Sequence, residues 1–241
     1  MRLDVYLTEN NIYESRKKAS DNIKNGYVRV DGRIVTKPSC EVDGTETIEA
    51  VGEMCPYVGR GGFKLEKALD EFKIDVSKKV CVDIGASTGG FTDCLLQRGA
   101  SKVYAIDSGR DQLHGKLKND CRVCCMEGVN ARYLTHEDIG EKCDIAVMDV
   151  SFISQTKLYT SVASVLKKGG LFVSLIKPQF EAGKALVGKN GIVKDDKVRL
   201  GVCESIKETA RLYGLEMMNI IQSPIKGGDG NVEFLALFVL N

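Results

Sequence analysis

The residues best placed to do chemistry begin with Val80-Cys81-Val82-Asp83-Ile84-Gly85-Ala86-Ser87-Thr88-Gly89-Gly90-Phe91-Thr92-Asp93. Its first five residues, mostly β-branched or apolar and free of Gly and Pro, predict a buried strand. The glycines then predict a loop, and the spacing of Phe91, Cys94 and Leu95 a helix. Such a turn brings bare backbone to a ligand, and the helix N-terminus favours its polar or anionic groups. The loop reads G-x-x-x-G-G, not G-x-G-x-x-G, so its middle glycine is not where a pyrophosphate needs it. Asp107 closes the next expected strand, in the place where a carboxylate accepts hydrogen bonds from ribose hydroxyls. Asp83 and Asp107 together point to an adenosine-containing ligand without bridging phosphates.

A second set of residues gathers at the same rim. In an open α/β sheet, ligands bind beyond the carboxyl ends of the parallel strands. Asp149 ends the expected strand at 144–149, and Lys177 ends the one at 171–176. Glu233 begins a strand expected to run antiparallel, which starts at the edge where its neighbours finish. A lysine and two acids brought together there form either a structural ion-pair network or a functional site. Gly59-Arg60-Gly61-Gly62-Phe63-Lys64 leads a helix with Leu65, Ala68, Leu69 and Phe72 on one face. Arg60 and Lys64 therefore sit near a helix N-terminus, where cations oppose the helix dipole, so a bare stability argument does not explain them.

These side chains need a scaffold, and the pattern supplies one. Strands are expected at 102–107, 122–126, 144–149 and 171–176, with helices from Lys157 to Lys168 and from about Asp196 to Tyr213. Leu215–Ile221 and Val232–Leu240 lack an intervening helix and are joined by a hairpin-length link. The expectation is an α/β, Rossmann-like, mostly parallel seven-stranded sheet with one antiparallel strand.

Upstream, Leu3, Leu7 and Ile12 punctuate a short amphipathic segment. Ser15 suits the N-cap of Arg16 to Lys24, Gly26 suits C′, and Asp31-Gly32 is a strong hairpin signal. From Ser15 to Lys37 there are seven basic residues and two acidic ones. A strand-like Thr47 to Val51 follows, and Met54-Cys55-Pro56-Tyr57 reads as a link. The expected domains are a small α+β unit over 1–55 and an α/β unit over 56–241.

Composition narrows the class. The chain has 241 residues, 43% of them apolar, and its longest apolar run is the seven residues Phe234 to Leu240. A membrane helix needs roughly 20. No apolar signal core follows Met1-Arg2-Leu3-Asp4, so a cytoplasmic protein without a membrane partner is expected. Nine cysteines are an odd number for a disulfide framework, and Cys81, Cys124 and Cys125 fall inside expected strands. Cys121, Cys124 and Cys125 lack a second ligand pair, and His114 and His136 show no metal spacing, so no metal is expected. A net charge of +1 says nothing about nucleic acid, which leaves the local basic stretch to carry that argument.

Several of these segments resemble known families. Arg2-Leu3-Asp4, Ser15-Arg16-x-x-Ala19, Gly26-x-Val28-x-Val30-Asp31-Gly32 and Lys37-Pro38 resemble the S4 RNA-binding domain. That resemblance implies docking on structured RNA by shape and phosphate contacts. Arg2, Arg16, Lys17, Lys18, Lys24, Arg29, Arg33, Lys37 and, beyond the link, Arg60 are the expected contacts. Pseudouridine synthases also carry S4 domains and have a catalytic Arg-Leu-Asp. Here that tripeptide precedes the S4 helix and reads as structural.

The glycine loop and Asp107 resemble motifs I and II of S-adenosylmethionine-dependent methyltransferases. Gly61-Gly62-x-Lys64, Asp149-Val150-Ser151-Phe152-Ile153-Ser154, Lys177-Pro178-Gln179-Phe180-Glu181 and Gly230-Asn231-Val232-Glu233-Phe234 are similar to the Lys-Asp-Lys-Glu segments of FtsJ-like ribose 2′-O-methyltransferases. The whole chain resembles the TlyA, or haemolysin-A-like, family of rRNA cytidine 2′-O-methyltransferases. The resemblance implies ribosomal RNA or ribosomal subunits as partner and Lys64, Asp149, Lys177 and Glu233 as the catalytic set. It implies S-adenosylmethionine held by Asp83, Gly85, Ala86, Ser87, Gly89, Gly90, Phe91, Asp107, Asn130 and Asp149.

In that scheme Lys177 is the base, Asp149 its orienter, and Lys64 and Glu233 position the nucleotide. Burial and the nearby Lys64 cation would ease loss of the Lys177 proton, and Asp149 would oppose part of that. Amine methylation is disfavoured because Asp149-Val150-Ser151-Phe152 lacks the Pro-Pro of its motif. Cytosine C5 methylation is disfavoured because no cysteine follows any of the four prolines. Two rival functions are a non-catalytic ribosome-assembly factor and a pore-forming haemolysin. Within the family, short termini go with large-subunit rRNA, and this chain leans that way.

Overall fold

The structure, a computed structural model, describes residues 1–24, 26–50 and 56–241. Two expectations, that a strand reaches Val51 and that Met54-Cys55 belongs to the link, lie outside the described residues. The chain divides into two compact units, Met1–Pro56 and Tyr57–Asn241.

In the first unit, helices α1 (Leu3–Glu9) and α2 (Arg16–Lys24) pack with strands β1 (Val28–Val30), β2 (Arg33–Ile34) and β3 (Ile48–Ala50), ordered β2-β1-β3. Ser15 Oγ accepts the Lys18 N–H at 3.2 Å and so caps α2. Asp31 and Gly32, at φ 48° and 74°, form the tight β1–β2 turn, which needs positive φ at both positions. Leu3, Leu7, Ile23 and Val28 are fully buried between helices and sheet. Asp4 takes the Arg2 guanidinium on both oxygens at 2.9 Å and Arg16 at 3.3 Å. Those bonds, Arg2 foremost, hold its carboxyl down at about 2, so Arg2-Leu3-Asp4 is a structural clasp.

The second unit opens with helix α3 (Gly61–Glu71), strand β4 (Val80–Ile84), helix α4 (Gly90–Gln97) and strand β5 (Lys102–Asp107). Helix α5 (Gly115–Lys118), strand β6 (Val123–Glu127), helix α6 (His136–Ile139), strand β7 (Cys143–Met148) and helix α7 (Tyr159–Val165) follow. Strand β8 (Leu166–Ile176), helices α8 (Pro178–Glu181) and α9 (Asp196–Arg211), and strands β9 (Leu215–Gln222) and β10 (Phe234–Leu240) complete it. Among the described residues the large sheet has seven strands, ordered β6-β5-β4-β7-β8-β10-β9. Among the described residues β10 pairs antiparallel with both β8 and β9, and the other pairings are parallel. Val82, Ile84, Ile106, Ala146, Phe172 and Phe238 lie within the core that the sheet shares with its covering helices.

Two local readings change. The helix expected from Lys157 to Lys168 is a 3-10 turn, Gln155–Leu158, followed by α7, which stops at Val165. Buried Leu166 already pairs with Cys143, and Lys167-Lys168-Gly169-Gly170 bulges out before pairing resumes at Ile145 and Leu171. The expected strand from Val232 begins instead at Phe234, leaving Glu233 just outside it. Its first partner is Ile176, so continuing the antiparallel register puts Glu233 opposite Lys177.

Candidate active site

The glycine loop meets protein on its tight side and cleft on its open side. A Cβ on Gly85, at φ 86°, would stand 2.6 Å from the Asp149 carbonyl oxygen, because the loop crosses the end of β7. One on Gly89, at φ 96°, would stand 2.2 Å from Leu117 on α5. A Cβ on Gly90 would come 3.0 Å from the Gly62 nitrogen of α3. The three glycines therefore let β7, α5 and α3 close around the loop, whereas the sequence suggested that their main purpose was room for a ligand. Ser87 holds φ 49° and donates its N–H to Asp107 Oδ2 at 2.7 Å, and Gly109 N–H donates to Oδ1 at 2.7 Å. Each Asp107 oxygen keeps a lone pair for a further donor.

The open side is a cleft of about 390 Å³ with apolar walls from Ile84, Ile106, Val129 and Leu158 and polar groups from Asp107 and Asn130. A second compartment of about 240 Å³ lies between the N-terminus of α3 (Gly59, Arg60, Gly61) and the loop, with Ala86, Gly90, Phe91 and Lys177 on its walls. The two share Gly85, Ser87, Asp149 and Ser151. Asn130 Oδ1 accepts the Arg132 N–H at 3.2 Å, which caps the turn behind it. Asp83, expected at the cleft, is fully buried beneath the loop, with Oδ2 accepting the Thr92 hydroxyl at 2.7 Å. Its Oδ1 has no partner among the described residues, and burial pushes the carboxyl up to about 7.

The lysines and acids come together as two pairs. Lys177 Nζ lies 2.6 Å from Asp149 Oδ1 and donates to Ser151 Oγ at 2.7 Å. Lys64 Nζ lies 2.6 Å from Glu233 Oε2 with 8% and 2% of the two residues exposed. The Lys64 charge is therefore met by Glu233. It is not a free cation, contrary to the sequence-based expectation. A Cβ on Gly227 would fall 2.5 Å from Glu233 Oε1, so that loop lies against the carboxylate.

Sequence reasoning missed a neighbour of this site. Phe152 holds φ 64°, a conformation costing about 1–2 kcal/mol for an L-residue. The residue is 92% exposed, and its ring meets that of Phe180 at 5.2 Å between centroids. An exposed phenylalanine at a cleft is visible only once the loop is folded.

On the first unit, Arg16, Lys17, Lys24, Arg29, Arg33 and Lys37 are exposed. Arg2 and Arg16 are partly engaged by Asp4, and Lys18 pairs with Glu14 at 2.7 Å. Arg60, grouped with them by charge, instead lines the smaller compartment of the second unit. Among the described residues no acid, cysteine or histidine cluster could hold a metal, the cysteines are unpaired, and no helix is long and apolar enough to cross a membrane.

The sheet order, the loop under the cleft and the paired lysines and acids define the class: an α/β enzyme unit of the methyltransferase type, in a chain that also has a small α+β unit. A family model described as FtsJ-like methyltransferase matches residues 57–239, and an S4 domain model matches residues 1–48. The chain belongs to the FtsJ-like methyltransferase family and carries an S4 domain. It is 46% identical to Hemolysin A of Brachyspira hyodysenteriae, over 100% of both chains. It is 40% identical to the 16S/23S rRNA (cytidine-2′-O)-methyltransferase TlyA of Mycobacterium tuberculosis, over 97% of this chain and 87% of that one. A solved structure described as a candidate hemolysin from Streptococcus thermophilus superposes with a TM-score of 0.81 at 41% identity, covering 100% of this chain and 88% of the other.

Proposed function

We propose that the chain is a ribosomal RNA 2′-O-methyltransferase that modifies a cytidine ribose with S-adenosylmethionine as methyl donor, working in the cytoplasm on ribosomal subunits. The observation that carries this reading is Lys177, held by Asp149 and Ser151 where the two compartments of the cleft join.

The donor set fits the cofactor. The remaining lone pairs of Asp107 suit ribose hydroxyls, and the walls formed by Ile106, Val129 and Leu158 suit a flat base. The N-terminus of α3 with Arg60 suits a carboxylate in the smaller compartment. Asp83 supports the loop from beneath. When bound, S-adenosylmethionine supplies an electrophilic methyl group on a sulfonium. The protein must then orient a sugar hydroxyl and take its proton.

Lys177 Nζ is the proton acceptor in this reading. Asp149 and Ser151 aim the amine at the junction of the two compartments. Lys64 and Glu233, locked to each other, form the wall against which the nucleotide is set. Phe152 offers an exposed ring on which an unstacked base can lie. The basic face of the S4 unit supplies phosphate contacts.

The test is incubation of purified protein with 30S and 50S subunits and labelled S-adenosylmethionine, followed by alkaline hydrolysis and mapping of resistant linkages. A resistant linkage at a cytidine supports the reading. Label confined to a base, or no label on either subunit, defeats it.

A further inference from the structure

Two segments leave the C-terminal ends of β7 and β8, a turn running from Asp149 to Gln155 and Lys177 leading into helix α8 (Pro178–Glu181). They are fastened at three levels. Innermost, Lys177 meets Asp149 and Ser151. In the middle, the rings of Phe152 and Phe180 touch at a 50° tilt. Outermost, Glu181 Oε2 accepts the Ser154 hydroxyl at 2.7 Å and Oε1 accepts the Gln155 N–H at 2.8 Å.

The three fastenings differ in permanence. The innermost must loosen during turnover, because the amine bonded to Ser151 has to turn to a substrate hydroxyl. The middle one is a contact of rings without a directed bond. Only the outermost is both directed and away from the reacting atoms. The turn it fastens needs holding, because Phe152 sits in left-handed backbone, and a bulky residue stays there only where its surroundings over-determine it. Ser154 lies two residues further along the same turn.

The acceptor also suits the task. A carboxylate takes a hydroxyl and a backbone N–H on separate oxygens. Burial raises the Glu181 carboxyl, while these same two donors favour its charged form. Ser154 Oγ is shared with Thr156 Oγ1 at 2.8 Å, which ties the bond into the following 3-10 turn.

We propose that Glu181 is a positioning residue for methyl transfer: without touching substrate, it keeps the Phe152 turn in register with Lys177 at the head of α8. This rests on the methyltransferase reading above.

The full-length chain tests it through four variants, Glu181→Ala, Glu181→Gln, Phe152→Ala and the Phe152→Ala/Glu181→Ala double. Single-turnover rates on the methylated subunit, cofactor Kd by calorimetry and melting temperatures are measured for each. Glu181→Ala is expected to slow the single turnover by tenfold or more while cofactor Kd stays within twofold. Glu181→Gln should recover most of the rate, since its amide can accept from Gln155 and donate to Ser154. The double variant should be no slower than the slower single variant, because both changes release the same turn. Rate losses that multiply, or a Glu181→Ala effect confined to melting temperature, overturn the proposal. Should Glu181→Ala fail to fold, Ser154→Ala takes its place in the cycle under the same criteria. An inactive wild type would sink the methyltransferase reading itself. An active wild type with an unimpaired Glu181→Ala sinks this proposal alone.

Discussion

Removing Glu233 should do more than stop catalysis, because its partner is left buried with a charge. At 2.6 Å and an effective dielectric of about 20, the attraction between Lys64 and Glu233 is about 6 kcal/mol before desolvation. Much of that gross term offsets the several kcal/mol each ion loses on leaving water, so the pair adds little net stability. Glu233→Ala removes the attraction and keeps the desolvation cost of Lys64, a loss of about 3–5 kcal/mol. For a unit of this size each kcal/mol moves the midpoint by about 2–4 °C, so the catalytic unit should melt roughly 6–20 °C lower.

The double variant Lys64→Met/Glu233→Leu removes both charges and should regain most of the lost stability while remaining inactive in methyl transfer. Calorimetry of the three proteins at pH 7, with single-turnover assays alongside, separates the loss of stability from the loss of activity. The reasoning is refuted if Glu233→Ala melts with the wild type, or if the double variant is less stable than the single.

Three further outcomes follow from the site. Lys177→Met should lower the single-turnover rate by about 10²–10⁴ without weakening cofactor binding, and near-normal rates would exclude it as the base. Glu127 accepts the N–H groups of Asp111, Gln112 and Leu113 at 3.0, 2.7 and 2.8 Å, and Gln112 lines the cleft. Glu127→Ala should therefore raise cofactor Kd about tenfold by calorimetry with kcat at saturation little changed. Asp83 has a folded-state value of about 7, above the ordinary carboxyl value, so folding binds a proton between about pH 4 and 7. Stability from this group is full at the acid end of that window and lost as pH rises through it. Asp83→Asn, which can still accept from Thr92, should raise the melting temperature at pH 8 and leave it little changed at pH 4.

Much of this site could be read from local pattern. Strand-to-glycine transitions and the ends of apolar runs mark the rim, so Gly85, Asp107, Asp149 and Lys177 were legible. Asp149 and Lys177 also end neighbouring parallel strands, which brings them together in any sheet with this order. The partnership of Lys64 with Glu233 spans 169 residues and depends on β10 entering beside β8, which no local signal encodes. Phe152 carries no mark of its positive φ, because a bulky aromatic is among the residues least expected there. Asp83 looked equivalent to Asp107 by position, yet pleat alternation and the overlying loop turn it into the interior. The Lys167 to Gly170 bulge was misread because Lys-Lys-Gly-Gly resembles a helix end, whereas pairing of Leu166 with Cys143 had already begun the strand.

The strand that comes last along the chain fills an inside slot of the large sheet, between β8 and β9. During synthesis those two strands emerge with a gap between them, and the acid that partners Lys64 arrives only as the gap is filled. The sheet therefore cannot close, nor Lys64 gain its buried partner, until residues 233–240 are in place. Completion of the site in this way waits on the strand that is made last of the seven.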